Sequence, residues 1–510
     1  MFMTELHTLV NGLKPEEINS IRYSFCKASK AEKEELAVEK LFDFLLLNQH
    51  KDIEDKVISI HVYGSKKDDA LKRLKSRLFS KILDVFTSDA FLFKEGLMDN
   101  LDKQVVRIRK KILQFRVLLR KKNGTDKSIL FHLLNEIIKE AKEFEQYDII
   151  CEALSFKKYL TVLRKGAAEL KEINKQVEFY SNAYSAVLRA GDYYYDLVAN
   201  QDLIKEYSAE EIDKLVADAL IELDNDYKLT KSATILYYTR HIQLANLQRQ
   251  QKHQATIDVC LDIINLLKKY KCIFRTERMG MIFGNISKCL VFTGDFVNAA
   301  KNAKKAQEYY STKTLSYMIA KEQEFYALFY AGLFDKANDV ITELQDVSLN
   351  NSGEFRQAKF LFFKACVHFN LKEYKEALQI CNQSLDISRD KNRWDLGTRY
   401  VRIMSLVELQ LHDQAYAGVE ALRKTIGRNA NKTGVSGRDE LIYKILNEYS
   451  RSGFIAVDND KLEQLIVELS DASGKNTWAY YTHELIPFHD WVGQKLKTTS
   501  KPKLLSKIKV

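Results

Sequence analysis

Proline is almost absent from this chain of 510 residues. The three prolines are Pro15, Pro487 and Pro502, and none occurs between residues 16 and 486. Proline breaks helix interiors and is favoured in many turns, so a gap of this length predicts one helix after another, joined by short turns of Gly, Asn and Asp. The chain is also too long for a single compact core, and we expect several domains or one extended repeat array.

The sequence also lacks paired cysteines, a signal peptide and a membrane span. Its seven cysteines are scattered and include no CxxC pair, which argues against a disulfide framework and favours free thiols in a reducing compartment. Residues 1–14 have neither the basic flank nor the apolar core of a signal peptide. The longest apolar run, about residues 41–47, is far shorter than a membrane span. We therefore expect a cytoplasmic protein that does not enter a membrane.

Positive charge is in excess and unevenly placed. The formal net charge is +10. Residues 101–130 contain ten Lys or Arg against two Asp, and the last sixteen residues contain six Lys and no acid. Charge this local can mark a contact surface for an anionic partner, and the alternative is a solvated helix face and a disordered tail.

Four segments of the chain align with one another. In each, a Gly or polar residue is followed two positions later by an aromatic residue or His412, and an Ala comes three positions after that. The shared alanines are Ala299, Ala337, Ala377 and Ala415, at intervals of 38, 40 and 38 residues. Small or apolar residues after each Ala continue one face of a helix. Each unit is therefore predicted to be a helical hairpin that buries its apolar face only by stacking on its neighbours.

This pattern resembles the tetratricopeptide repeat. That family has small residues at the eighth and twentieth positions, an aromatic residue near the seventeenth and a small residue at the twenty-seventh. In two units these places are filled by Ser287, Phe296, Ala299 and Ala306, and by Ala365, Tyr374, Ala377 and Ser384. The repeats are degenerate, because their spacing exceeds the family's roughly 34 residues by about one helical turn and the closing proline is missing. The resemblance is good over residues 235–425 and faint over 125–235, where a similar elbow is predicted around Tyr147.

The resemblance implies an all-α fold, a TPR-like α-solenoid of antiparallel helical hairpins. We place the solenoid at residues 101–426, after a basic helical module at 1–100. A loop at 427–440 separates it from a helical cap at 438–495, and a basic tail follows at 496–510. The cap region is rich in aromatic residues, which seal the exposed end of a solenoid well. Docking of a partner on these aromatic residues is the alternative.

The N-terminal module contains a basic amphipathic helix. Helices are predicted at 15–28, 31–48 and 52–62, and a turn at Tyr63-Gly64-Ser65 leads to a helix from Asp68 to Phe86. Helix, Gly turn and basic helix together resemble a helix-turn-helix module in outline. A second basic helix is predicted over 103–122. The residues predicted to bind nucleic acid or another anion are Lys72, Arg73, Lys75, Arg77, Arg107, Arg109, Lys110 and Lys111.

No catalytic or metal motif is found. His483 and His489 lie on either side of Pro487, six positions apart, whereas two histidines that share a zinc ion on one helix face need a spacing of four. Gly280 and Gly284 form a GxxxG pair without the Lys-Ser/Thr of a phosphate loop, and we expect them to let two repeat helices approach closely. We expect neither an enzyme nor a bound cofactor.

Two functions remain after this search. The first is a protein-protein interaction scaffold that binds a peptide or a partner helix in a groove lined by the first helix of each hairpin. Several of the predicted groove residues are basic, which favours an acidic peptide or a carboxylate terminus. The alternative is a regulatory nucleic-acid-binding protein that uses the basic N-terminal helices, with the repeats as a sensor domain. The predicted groove residues are Asn285, Lys288, Lys321, Glu324, Lys364, His368, Arg399 and Arg402.

Overall fold

The fold is all-α throughout the part of the chain that the structure describes. The computed structural model has twenty-three α-helices in its described ranges, and no strand among them. Of the predicted loop at 427–440, residues 430–435 lie outside these ranges, whereas residues 427–429 and 437–440 are helical, so the predicted loop bounds are too wide. The basic tail at 496–510 lies outside them from residue 498 onward. The described ranges are 2–26, 33–51, 53–88, 99–121, 126–162, 167–200, 206–312, 314–348, 354–387, 394–429, 436–455, 459–471 and 476–497.

The chain forms two compact units, residues 1–180 and 181–510. The first unit contains α1 (Phe2–Asn11), α2 (Pro15–Cys26), α3 (Lys33–Leu47), α4 (Asp55–Tyr63), α5 (Asp68–Phe86), α6 (Asn100–Leu119), α7 (Lys127–Glu143) and α8 (Tyr147–Val162). A long helix, α9 (Ala167–Tyr194), crosses the division and ends in a π-helical turn, Tyr195–Ala199. The first unit therefore includes helices that sequence analysis had placed in the repeat array.

The second unit is a row of helical hairpins. After α10 (Ala209–Thr230), the hairpins are α11 (Ala233–Arg249) with α12 (His253–Lys269), α13 (Thr276–Phe292) with α14 (Phe296–Gln307), α15 (Leu315–Tyr330) with α16 (Phe334–Ser348), α17 (Glu354–Asn370) with α18 (Tyr374–Ile387), α19 (Trp394–Glu408) with α20 (His412–Asn429), and α21 (Gly437–Arg451) with α22 (Asp460–Ser470). The last helix is α23 (Phe488–Lys497). The predicted all-α solenoid is confirmed.

The N-terminal helices pack around one apolar cluster, built from Leu6, Val10, Ile21, Val38, Leu41, Phe42, Ile58, Leu71, Leu78 and Ile82. The helices predicted for this region agree with the structure to within a few residues, but α1 was not predicted. Helix α4 ends at Gly64, whose φ of 74° is left-handed and whose N–H bonds to the carbonyl of Ile60 at 2.8 Å. The predicted turn before the basic helix α5 is thus confirmed.

The hairpin turns explain the repeated sequence pattern. The residue two positions before each aromatic or His has a left-handed backbone, with φ of 81° at Gly294, 72° at Gly332, 65° at Lys372 and 59° at Gln410. This conformation ends the first helix and lets the next N–H bond back to a carbonyl of the last turn, as from Asp295 to Leu290 at 2.9 Å. Glycine adopts it at the lowest cost, and the other residues tolerate it.

Small residues allow the helices to cross closely. Ala299, Ala337, Ala377 and Ala415 are all fully buried, as expected where two helices of a hairpin touch. The two glycines of the GxxxG pair make room for side chains. A Cβ on Gly280 would lie 2.5 Å from the ring of Tyr310, which follows α14, and a Cβ on Gly284 would lie 2.9 Å from Oε1 of Gln323 in α15. The close approach of two helices at this pair stays a prediction. None of the helices in the described ranges combines the length and the hydropathy that a bilayer span requires.

Candidate interaction face of the repeat unit

The first helices of successive hairpins lie side by side and are linked by polar contacts. Gln248 of α11 donates to Asn285 of α13 at 3.1 Å. Lys359 of α17 pairs with Glu322 of α15 at 2.7 Å. These contacts place the helices in register, so side chains at equivalent positions form one continuous surface.

The segment that joins α22 to α23 lies on this surface. Residues 476–487, which we call the strap, contain no helix. The side chains and backbone that the strap touches on the first helices define what we call the first-helix face. The face consists of Phe292 of α13, Tyr326 and Tyr330 of α15, and Gly397 and Tyr400 of α19.

Aromatic rings hold the first half of the strap. The ring centroid of Tyr481 is 4.5 Å from that of Tyr326, and Tyr480 is 4.8 Å from Tyr330. Tyr480 also meets Phe292 edge-on at 5.7 Å. Burial raises the pKa of Tyr326 and Tyr330 well above the ordinary value, so both phenols stay neutral. This half of the strap is therefore packed against rings that α13 and α15 supply.

Close backbone contact holds the middle of the strap. A Cβ built on Gly397 would lie 2.0 Å from the carbonyl oxygen of His483 and 2.9 Å from Cζ of Phe362. No side chain fits between α19 and the strap at this point. A glycine in the interior of a helix costs stability relative to alanine, and here its small size is what lets the strap backbone lie against α19.

A buried ion pair holds the end of the strap. Arg438 of α21 bonds both oxygens of Glu484, from Nε at 2.5 Å and from Nη2 at 2.8 Å, and both side chains are nearly inaccessible to solvent. Nη1 of Arg438 donates to the carbonyls of Leu469 and Asn476 at 2.8 and 2.6 Å. One guanidinium group therefore joins α21, the end of α22 and both ends of the strap.

Asp439, the next residue, adds a second polar anchor. Its carboxylate accepts the Tyr400 hydroxyl at 2.9 Å and lies 2.7 Å from Nε2 of His483. Burial raises the pKa of Asp439, but the bond to His483, the charge of His483 and the bonds from Ser436 outweigh it, and the net pKa lies well below the ordinary value. Asp439 also caps the start of α21 with Ser436. The carboxylate is thus ionised where the strap needs an acceptor.

The histidines that were considered as a metal pair have other partners. His483 faces Asp439, and Nδ1 of His489 lies 3.0 Å from Nη2 of Arg438. Within the described residues, no group of three or more His, Cys, Asp or Glu side chains is arranged to hold a metal ion. After the strap, α23 is tied to α19 because Trp491 and Lys495 donate to the two oxygens of Glu408 at 2.8 and 2.6 Å.

Several of the predicted groove residues do not lie on this face. Lys321 is buried and pairs with Glu343 of α16, and Glu324 accepts from Gln307 of α14 at 2.7 Å. Both side chains point toward the second helices, because Lys321 is one residue and Glu324 two residues away from Glu322, and so 100° or more of helical turn. They do not line the first-helix face, and a role of either in partner binding stays a prediction.

The other predicted groove residues are mostly engaged within the solenoid. Arg402 donates to Asn382 of α18 at 2.8 Å, again on the side of the second helices. His368 contacts Glu373 of its own hairpin turn at 2.6 Å, and Arg399 lies 3.7 Å from Asp395 of its own helix. Lys364 is half-buried, one turn before His368. Asn285 accepts from Gln248 as described above, and Lys288 is exposed.

The basic residues of the first unit that were predicted to bind anions differ in their exposure and in their ion pairing. Lys75 is buried and paired with Asp55, so its prediction as part of an exposed face is wrong. In α6, Arg109 pairs with Asp148 at 2.8 Å and Lys111 with Glu140 at 2.6 Å. The charge of α6 thus serves in part to pack it against α7 and α8. Lys72, Arg73, Arg77 and Arg107 are exposed, and Lys110 is half-buried.

Comparisons with known proteins add little to this description. Neither a protein-family model nor a curated protein matches the chain. Among solved structures, the chain is similar to the apo form of RapI, with 12% sequence identity over 72% of this chain and 86% of that chain, and a TM-score of 0.43. So distant a similarity says nothing about partners or activity.

Proposed function

We propose that the second unit is a protein-protein interaction scaffold whose first-helix face binds an extended peptide segment with two adjacent aromatic residues. One observation carries the proposal. The protein's own strap lies on the face in this way, with Tyr480 and Tyr481 on the rings of Tyr330 and Tyr326. A partner with similar chemistry would compete with the strap for the same surface.

The chemistry of the face favours aromatic over acidic partners. Edge-to-face ring pairs contribute about 0.5–1.5 kcal/mol each beyond the area they bury, and the face offers three rings to the two adjacent tyrosines of the strap. By contrast, the basic residues Lys321 and Arg402 are engaged elsewhere. We therefore place the selectivity of the face in its rings rather than in positive charge.

The strap acts as a competitor inside the same chain. A tethered segment has an effective concentration in the millimolar range, which an external peptide must overcome. In this proposal the protein is a binding protein without catalytic activity of its own. The buried free thiols of Cys260, Cys366 and Cys381 agree with its expected place in the reducing cytoplasm.

Peptide binding in trans tests the proposal. A labelled peptide with the sequence of residues 476–487 is titrated into the full chain carrying Tyr480→Ala and Tyr481→Ala, which opens the face. We expect the peptide to bind this variant at least about tenfold more tightly than it binds the unchanged chain, where the strap competes. The control peptide has alanine at both tyrosine positions and is expected not to bind. If the variant keeps its helical circular dichroism but takes up no peptide, the face does not bind peptides.

Nucleic-acid binding is less well supported. Of the predicted residues, Lys72, Arg73, Arg77, Arg107 and Arg109 are exposed, and Arg109 is paired with Asp148. Helix α5 begins with Asp68 and Asp69, which are both exposed. In a helix-turn-helix module the first residues of the second helix contact the DNA. Two carboxylates at that position oppose the negative charge of the phosphates.

A further inference from the structure

The first unit contains an open cavity that the proposed function does not use. The cavity measures about 500 Å³ and lies among α3, α4 and α5. Its size is within the range of pockets that hold small molecules, about 300–1,000 Å³. It therefore has room for a compact ligand.

The charged groups of the cavity are all positive. Lys40 of α3 lines it, together with Arg73 and Arg77, which lie one turn apart on α5. None of the described residues that line the cavity is acidic. Lys40 and Arg73 form no ion pair with a described residue. By contrast, Lys75, which lies on α5 like Arg73, is paired with Asp55. Lys40 of α3 and Arg73 of α5 thus bring positive charge to one place, with no carboxylate among the described residues paired to either of them.

The rest of the cavity wall is mostly apolar. Leu36 of α3, Val62 of α4 and Leu74 of α5 line it. Leu36 is 57% exposed, which leaves an apolar side chain in water beside the cations. A ligand that covered Leu36 and neutralised the cations would remove both unfavourable features, since burial of apolar surface is favourable.

We propose that this cavity binds a small amphipathic anion. Its carboxylate or phosphate group contacts Lys40, Arg73 and Arg77, and its apolar body covers Leu36, Val62 and Leu74. Arginine suits such a headgroup, because its planar guanidinium donates two parallel bonds to a carboxylate or a phosphate. A duplex fits less well, because the cations line a cavity, whereas Asp68 and Asp69 are exposed at the start of α5.

Isothermal titration calorimetry on the full chain tests the cavity with defined probes. Octanoate and octyl phosphate distinguish the two headgroups, octanol lacks the charge, and inorganic phosphate lacks the apolar body. We expect one of the two anionic probes to bind, and octanol and inorganic phosphate to bind at least about tenfold more weakly.

Two variants on exposed positions locate the binding. Lys40→Gln with Arg73→Gln removes two lining cations and is expected to weaken the anionic probe at least about tenfold. Lys72→Gln removes an exposed cation that lies next to Arg73 but does not line the cavity, and it is expected to leave the affinity unchanged.

Three results would overturn the proposal. The first is that neither anionic probe binds. The second is that octanol binds as tightly as the anions, which would show an apolar site without charge recognition. The third is that a DNA duplex binds more tightly than any probe and loses affinity equally in both variants, which would show an extended nucleic-acid surface. These outcomes are independent of peptide binding by the second unit.

Discussion

Two parts of the strap are held by different chemistry. In the polar part, Arg438 makes two bonds to the carboxylate of Glu484 and two more to backbone carbonyls, one of them that of Asn476 at the start of the strap. In the aromatic part, Tyr480 and Tyr481 contact rings of the first-helix face. A bidentate ion pair fixes one geometry, whereas ring packing tolerates other rings of similar size. Arg438 therefore sets the register of the strap, and the aromatic part is where a partner can replace it.

The difference also bears on stability. A buried ion pair gains little over apolar residues of the same shape, but removing one partner leaves an uncompensated charge. The polar part is therefore a strong constraint on position even if its net contribution to folding is small. The aromatic part contributes through burial, which is lost gradually as the rings separate.

The largest effect is expected from Arg438→Ala. This change leaves Glu484 buried without its cation, and we expect a loss of about 3–5 kcal/mol in the stability of the strap and the last helices. Arrays of repeats do not unfold in a single step, so local hydrogen exchange of α21, the strap and α23 is the suitable measurement. The control is Arg451→Ala on the same helix, whose pair with Glu448 is exposed on the arginine side and should contribute about 0–1 kcal/mol. Equal losses in both variants would remove the distinction between the polar and the aromatic part.

A smaller effect is expected from Gly397→Ala. In most helix interiors this substitution stabilises by about 0.5–1 kcal/mol, but here the new Cβ would collide with the carbonyl of His483. We expect a net loss of about 1–3 kcal/mol, typical of overpacking, and faster proteolysis within residues 476–487. Gly427→Ala in α20 is the matched control, because no atom lies within 4 Å of a Cβ at that position. A Gly397→Ala chain as resistant as this control would show that the strap does not press on α19.

The hairpins were predictable because their signals are local. A few adjacent residues determine each turn, and the small residues that follow recur at helical spacing. Ala299 and Ala377 could therefore be assigned to helix contacts from the sequence. The burial of Lys75 could also have been predicted. Lys75 lies four residues after Leu71 and three before Leu78, and so on the apolar face of α5, but the run of basic residues around it obscured this position.

The strap was not predictable in the same way. Tyr480 contacts Phe292, which is far away in the sequence, and no local pattern links the two. The aromatic residues near the C-terminus were interpreted as sealing the end of the solenoid, but Tyr480 and Tyr481 lie along its first helices. Two signals were present and were not used. Tyr326 and Tyr330 are spaced to share one helix face, and Gly397 is a glycine inside a helix without a turn to explain it.

The smallest effect is expected from Tyr480→Ala, and it is the most direct test of the difference between the two parts. Tyr480 is half-buried, so losing its ring should cost about 1–2 kcal/mol. Hydrogen exchange should rise over residues 478–482, while Asn476 and residues 484–489, which Arg438 anchors, stay protected. Tyr480→Phe keeps the ring and should change neither region. If exchange instead rises along the whole strap in Tyr480→Ala, the two parts open together, and the bonds of Arg438 do not hold the register on their own.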